Sequence, residues 1–402
     1  METFIRKVEL AEGISDIHLS DGYNKLLALI TLHGMPLGEI SLSECDRIVP
    51  SGQLAGLIAE KFCAKILRSW LQRSIGIRHG GPWQESLPSI SVIIPTCDRP
   101  DDLRKCLQSL SEAEYERKTI IVVDNGSASD LTYGVTAEFG AKYVREKRQG
   151  LDFARNAGIT ASESDIVAFA DDDVVVDRMW LCTMAEVFRE DSAIACVTGL
   201  TMPLELETEA QELFEGYCDG GMRRGYERHI FHRFNLPSAA AGKVGAGANM
   251  ALRLNVLKEI GLFDEALDCG TPAKAGGDTD MFYRVLRHGY KICYEPRVLS
   301  WHKHRRSMAE LQKQLSGYSI AVYAFLTKCL IEYHDMQAVH AGFAWFKSHH
   351  VKNIFLSLLG KHPMPRGIVV SEFIGVFHGP FAYFKSRAYA EQVNARFVAK
   401  TK

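Results

Sequence analysis

The sequence predicts an α/β protein: a Rossmann-like, mostly parallel sheet with helices on both faces, a small α+β module before it and a helical amphipathic segment after it. Two observations carry this expectation. Between residues 89 and 307, continuous apolar runs such as "SVIIP" and "IIVV" alternate with helix-length amphipathic segments, the pattern of strands buried on both faces. The acidic residues of the same region sit where the apolar runs stop, most densely in "FADDDVVVD" at residues 169–177. Ligands of such sheets bind beyond the carboxyl ends of the strands.

Taken in order, residues 1–88 read as a small accessory module. It has strand-like "KLLALITLHG", a turn at "GMPLGE", strand-like "EISLS" and a helix opening near Ser51. Leu54, Ile58, Phe62, Ile66 and Trp70 recur every fourth residue and give that helix one apolar stripe. "RHGGPWQESLP" then breaks the periodicity and makes a linker. The strand "SISVIIPT" follows, then the helix "PDDLRKCLQSLSEA" with Leu103, Leu107 and Leu110 on one face, then the strand "KTIIVVDNGS" ending in an acid and a turn. After another helix come the short strand "AKYVRE", the helix "GLDFARNAGITAS" and the strand "DIVAFA". Asp98, Asp124 and Asp171 to Asp173 therefore all fall at strand ends on one side of the sheet.

Residues 308–402 are a region of aromatic, amphipathic segments such as "LSGYSIAVYAFLTKCLI" and "HAGFAWFKSHHVKNIFLSLLG". The pattern suits a helix lying at a membrane surface, and equally helices packed on the preceding domain or forming a homodimer interface. Residues 341–402 carry nine Lys/Arg against two Asp/Glu, a local +7 that suits an anionic membrane or an acidic partner.

Lys+Arg 47 against Asp+Glu 49 leaves a net charge of −2, so no overall basic field recommends a nucleic-acid role. The ten cysteines show neither C-x-x-C pairs nor His/Cys ligand spacing and read as buried thiols of a reducing compartment. No apolar signal core opens the chain, and no run reaches the roughly 18 uninterrupted apolar residues of a spanning helix. The expectation is a cytoplasmic protein, peripheral to the inner face of the cytoplasmic membrane if the tail binds lipid.

Three adjacent carboxylates repel one another and lose solvation when buried, so an isolated triplet is most simply a solvated turn or a helix cap. An EF-hand loop is excluded, because "DDDVVVDRMWLC" offers valines where oxygen ligands are needed. A divalent cation bridging two phosphates fits better: Mg²⁺ or Mn²⁺ takes one or two carboxylates and leaves its other positions to phosphate oxygens and water.

"SVIIPTCDRPDDLRKCLQSL", "IIVVDNGSASD", "RQGLDFARNAGI", "IVAFADDDVVVD" and "GGDTDMFYRVLRHGYKICYEP" resemble, in that order and spacing, the family 2 glycosyltransferases with the GT-A fold, over roughly residues 90–305. The resemblance implies an inverting, metal-dependent enzyme that moves a sugar from a nucleotide-diphospho-sugar to a glycan or lipid-linked hydroxyl acceptor. It puts Asp98 and Asp124 at the nucleoside and Arg155 at the diphosphate. Asp171 and Asp173 match the family's D-x-D acids: Asp173 on the metal, Asp171 on ribose or metal, with Asp172 beside the donor. "GAGANM" resembles a strand at which backbone approaches the substrate, making Asn249 a candidate sugar contact. "AGGDTDMFYRVLRHG" matches the Glu-Asp motif but has Gly277 where the glutamate usually stands. Asp278 remains as the general base, a role that helps because a sugar hydroxyl is a poor nucleophile at neutral pH. Asp280 is either an acceptor contact or a helix cap. In "SWHKHRR" the resemblance makes His302 a ligand of the metal or the diphosphate, with Arg305 and Arg306 near the leaving phosphate. Two other readings stay open: a sugar nucleotidyltransferase, against which the missing glycine- and lysine-rich phosphate loop speaks, and a non-catalytic nucleotide-sugar-binding scaffold, which Gly277 suggests.

Overall fold

Strand Ile90–Thr96 is buried along its whole length, as its unbroken apolar run requires of a strand with helices on both faces. In the computed structural model, which describes residues 2–76, 87–217 and 222–401, it lies inside a nine-stranded sheet. From one edge the order is Val174–Val176, Lys291–His302, Ile194–Pro203, Asn249–Arg253, Ile166–Ala170, Ile90–Thr96, Lys118–Asp124 and Lys142–Arg145, with His229–Phe231 also paired to Lys291–His302. Asn249–Arg253 runs antiparallel to both its neighbours, and Ile166–Ala170, Ile90–Thr96, Lys118–Asp124 and Lys142–Arg145 are mutually parallel. Period-two alternation divides the strand side chains between two cores. Ile93, Val123 and Phe169 face helices Leu151–Thr160 and Gly277–Arg287, while Val92, Ile94 and Val122 face Pro100–Glu112 and Trp180–Glu190.

The chain builds outward from Ile90–Thr96 through Lys118–Asp124 to Lys142–Arg145, then returns to lay Ile166–Ala170 on the other flank of the first strand. That reversal is a topological switch point, and the crevice it opens lies at the strand ends that carry Asp98 and Asp171.

At the N-terminus, strands Glu2–Glu9, Tyr23–Leu32 and Met35–Leu42 form a separate sheet covered by helix Ser51–Ser74 through Leu54, Ile58 and Phe62. Trp70 does not continue the expected stripe; it is exposed, as are Leu67 and Leu71 beside it. Leu27 and Leu29 pack against Leu200, Met202 and Leu299 of the large sheet. Residues 78–86 of the linker fall outside the described residues.

At the other end, helix Arg366–Thr401 runs along helix Met308–Tyr333. Gly379 permits the approach, since a Cβ there would lie 2.4 Å from that of Tyr323. The segment Arg366–Ala399 is long and apolar enough to cross a membrane by length and composition, with an 18-residue window of mean hydropathy 1.3 that is 44% buried. Ile374, Phe377, Phe381 and Phe384 on it are exposed. The nine described cysteines are free, and the expectation that they are buried holds only in part: Cys106, Cys196, Cys293 and Cys329 are buried, whereas Cys63, Cys97 and Cys269 are exposed.

Candidate active site

The aspartate triplet follows strand Ile166–Ala170, and its three side chains diverge. Asp172 turns inward, accepting from Thr96 Oγ1 at 2.8 Å and Arg99 Nη1 at 3.1 Å. Burial and the Asp173 charge push its carboxyl up to about 7, against the pull of Arg99. The expected place of Asp172 beside the donor is corrected in one respect: its carboxylate is turned away from Asp171 and Asp173 onto Thr96 and Arg99, so it acts on the site through Arg99. Asp171 remains partly exposed. Asp173 is buried, and one of its oxygens lies 3.2 Å from Arg99 Nη1. Arg99 is thus one answer to the crowding of negative charge, and it went unread in "TCDRP" because a lone arginine at a helix start resembles any surface arginine.

Strand Val174–Val176 pairs antiparallel with the end of Lys291–His302, Val174 opposite His302. This register brings His302 beside the triplet from 129 residues away in the chain. Asp171, Asp173 and His302 each present a ligand atom, all within 4.8 Å of one another. His302 Nε2 stands 3.3 Å from Asp173 Oδ1, yet that buried oxygen accepts no hydrogen bond among the described residues. The network explains why. His304 Nε2 donates to the Glu215 carboxylate at 2.6 Å, leaving His304 Nδ1 to accept from His302 Nδ1 at 3.4 Å. Burial pushes the His302 pKa down to about 4, so its ring is neutral and its Nε2 lone pair faces the Asp173 oxygen. Two acceptors facing one another make a place suited to a cation. Two carboxylates and a neutral imidazole suit Mg²⁺ or Mn²⁺, and the residues present fit such an ion.

Arg155 enters from helix Leu151–Thr160. It is buried, donates from Nη1 to Asp152 Oδ1 at 3.0 Å, and points Nη2 toward Asp171 Oδ1 at 3.8 Å. Its guanidinium also stacks 5.3 Å from the Phe263 ring centre. Asp278 lies in the first turn of helix Gly277–Arg287, where its Oδ2 accepts from Gly247 N at 2.9 Å and its Oδ1 from Thr279 N at 2.7 Å. A Cβ at Gly247 would lie 2.9 Å from Arg155 Nη2 and 3.0 Å from Asp278 Oδ2, so this glycine borders both groups. Asp171, Arg155 and Asp278 therefore share one cleft.

Asp98 and Asp124 lie along the same sheet end and are joined through Ser127, whose Oγ accepts from Asp98 N at 3.0 Å and whose N donates to Asp124 Oδ1 at 2.8 Å. Asp98 is exposed and adopts a left-handed backbone, φ 54°. Asp124 is buried and also accepts from Tyr143 at 2.6 Å and from Arg145. Burial alone would raise its pKa; these hydrogen bonds outweigh it and hold the carboxyl below the ordinary 3.8.

Two expectations fail. Asn249 is no sugar contact: it is completely buried, accepting from Trp180 Nε1 at 2.8 Å and donating to Leu200 O at 3.1 Å and Val298 O at 2.9 Å. Its amide ties three elements of the sheet together. Asp280 neither caps its helix, whose cap position is Gly276, nor reaches the cleft. It is fully buried, accepting from Arg284 Nε at 2.9 Å with Lys328 Nζ 2.7 Å from its other oxygen. Arg306 pairs with Glu205 and Glu207, while Arg305 stays 4.0 Å from Asp173.

Residues 91–260 match the family model described as glycosyl transferase family 2. The chain is similar to glycosyltransferase AglE of Haloferax volcanii, 26% identical over 237 residues that cover 57% of this chain and 71% of that protein. It is also similar to a pre-mycofactocin glycosyltransferase of Mycobacterium tuberculosis, 27% identical over 305 residues, 73% of this chain and 59% of the relative, so the chain spans under two thirds of that relative's length. Among solved structures it is similar to the mannosyltransferase PcManGT from Pyrobaculum calidifontis in complex with GDP-Man and Mn²⁺, at 15% identity and TM-score 0.45 over 85% of this chain and 86% of that one.

Proposed function

We propose, on the match of residues 91–260 to glycosyl transferase family 2, that the chain is an inverting, divalent-metal-dependent glycosyltransferase using a nucleotide-diphospho-sugar. The observation that carries the reading is the buried, donorless oxygen of Asp173 facing the neutral His302, with Arg155 and Asp278 in the same cleft. A bound Mg²⁺ or Mn²⁺ would supply charge stabilisation for the departing nucleoside diphosphate. Asp171, Asp173 and His302 would hold the ion, and His304 and Glu215 keep the His302 lone pair turned toward it. Arg155 adds a fixed positive charge beside the diphosphate. Asp98 and Asp124 line the nucleoside end. Asp278, whose two backbone donors leave lone pairs free, takes the proton from the acceptor hydroxyl as the new bond forms.

In this reading residues 1–88 are an accessory module, 89–307 the catalytic domain and 308–402 a helical region that works against a membrane. The acceptor is a glycan or a lipid-linked hydroxyl, and the protein acts in the cytoplasm at the inner face of the membrane. The exposed Phe377, Phe381 and Phe384, set within the +7 segment, support the last point. Low-salt co-sedimentation with anionic liposomes tests it, and a chain that stays in the supernatant leaves packing or a homodimer as the role of this face.

The central test is a thermal-shift panel of UDP, GDP, dTDP and CMP, each with and without Mn²⁺. One nucleotide should stabilise the protein with the metal present and lose that effect in Asp173→Ala. Equal affinity in EDTA, measured by calorimetry, would remove the metal from the reading.

A further inference from the structure

Gly277 leaves the Glu-Asp motif without its glutamate, and the structure has filled the space from another element. A Cβ on Gly277 would lie 1.8 Å from Asp152 Oδ2 and 2.6 Å from its carboxyl carbon, closer than any non-bonded pair can approach. Asp152 belongs to helix Leu151–Thr160, whose N-terminus docks on Asp268: Leu151 N and Asp152 N donate to its two oxygens at 2.8 Å and 2.7 Å. The Asp152 side chain is buried, and its Oδ2 accepts no hydrogen bond among the described residues. Its Oδ1 takes Arg155 Nη1 at 3.0 Å.

The consequence falls on Arg155. Its Nε finds no acceptor among the described residues, and its Nη2 stands 3.8 Å from Asp171 Oδ1 and beside Asp278 across Gly247. Asp152 is the one carboxylate hydrogen-bonded to this guanidinium among the described residues. Without that tether, the buried arginine would turn onto Asp171 and compete for an oxygen the metal needs, because a buried cation cannot stay unpaired.

Building on the glycosyltransferase reading, the geometry points to Asp152 as the stand-in for the missing glutamate, a positioning residue that holds Arg155 between the metal-ligand carboxylate Asp171 and the base Asp278. Position 277 must then be glycine because Asp152 is present. The two positions form one exchangeable unit, an acid on either element and a small residue on the other.

The experiment compares wild type with Asp152→Ala, Asp152→Asn, Gly277→Glu and the double variant Asp152→Ala/Gly277→Glu. Two quantities are read: melting temperature without ligand, and the Mn²⁺ concentration that half-saturates binding of UDP, GDP or dTDP, whichever the wild type binds. Asp152→Asn keeps the shape but weakens a buried ion pair, so it should melt below wild type while remaining folded, and need about 10–100-fold more Mn²⁺, the usual cost of losing a residue that orients a metal site. Gly277→Glu alone should melt lower and bind poorly, and the double variant should recover on both measures relative to Gly277→Glu. Wild-type Mn²⁺ requirement in Asp152→Asn and Asp152→Ala would overturn the positioning role. A double variant no better than Gly277→Glu would overturn the exchange. A wild type that binds none of the three nucleotides with Mn²⁺ defeats the glycosyltransferase reading and the functional role with it, while the melting temperatures still decide whether the two positions share one space.

Discussion

Asp278 and Asp280 stand two residues apart on one helix, and their surroundings are opposite. Two residues turn a helix by about 200°, so one side chain faces the cleft and the other the interior. Asp280, fully buried, lies against Arg284 and Lys328, and Arg284 goes on to donate to Ile260 O, Gly261 O and Leu262 O. Burial disfavours the Lys328 charge, but Asp280 and Asp264 outweigh it and raise that pKa. Charges there are matched inside the chain. On the cleft side, Asp152 Oδ2, Arg155 Nε and Asp173 Oδ1 are buried without hydrogen-bond partners among the described residues. Asp280 Oδ1 likewise accepts no hydrogen bond among the described residues, but it meets the Lys328 ammonium at 2.7 Å, whereas Asp173 Oδ1 faces only the neutral His302, a place that a metal ion would complete. The same residue type at neighbouring positions thus serves stability in one place and ligand binding in the other.

The sharpest way to break this contrast is to remove charge from each side. Asp278→Asn should keep metal-dependent nucleotide binding and lower transfer by about 10²–10⁴-fold, the usual worth of a general base, in a radiolabelled-sugar transfer assay. Normal transfer would move the base elsewhere in the cleft. Asp280→Asn should instead lower stability, by about 3–5 kcal/mol if the broken buried pair behaves as others do, seen as a drop in urea midpoint. It is therefore not a silent control for Asp278→Asn, and kinetic losses in it must be read on protein shown to be folded.

A smaller effect is expected two steps from the metal. Glu215→Gln removes the carboxylate that fixes the His304 tautomer, and Mn²⁺ affinity should fall by about tenfold; because Glu215 also pairs with Arg223 at 2.7 Å, the melting temperature should fall too, and affinity is read on protein shown to be folded. Unchanged affinity would mean that His302 needs no orienting partner. The mildest prediction concerns acid. Burial tends to raise the Asp264 pKa, but Lys328 and the Ala266 backbone hold it below the ordinary 3.8. A depressed carboxylate contributes stability that is complete above its unfolded pKa and is lost as pH falls through the folded value. Asp264→Asn should thus flatten the loss of stability below about pH 4 in urea titrations. An unchanged acid slope would show that Lys328 is satisfied by Asp280 alone.

Much of the architecture could be read from local pattern. The runs "SVIIP" and "IVAFA" are apolar throughout because both of their faces are covered, and the strand ends at Asp124 and Asp171 follow from where those runs stop. The acid three residues before Arg155 went unread, because an i, i+3 pair on a helix is common and nothing local said that it would fill the space beside Gly277. Asn249 was misjudged because a polar residue after "GAGA" reads as a ligand contact, whereas three strands and Trp180 converge on it.

By itself the sequence determined the alternation of strands and helices, the end of the sheet at which the acids gather and the type of chemistry those acids suit, since each depends on hydrophobic period and residue type within a short window. Only the tertiary structure decided which acid does what. Asp172 turns to Arg99 while Asp173 faces His302, Glu215 reaches His304 across 89 residues, and Asp152 takes the space beside Gly277. These assignments rest on the burial of each carboxylate and on the partner brought to it from a distant element, and a charge's cost and use depend on that three-dimensional neighbourhood rather than on its neighbours in the chain.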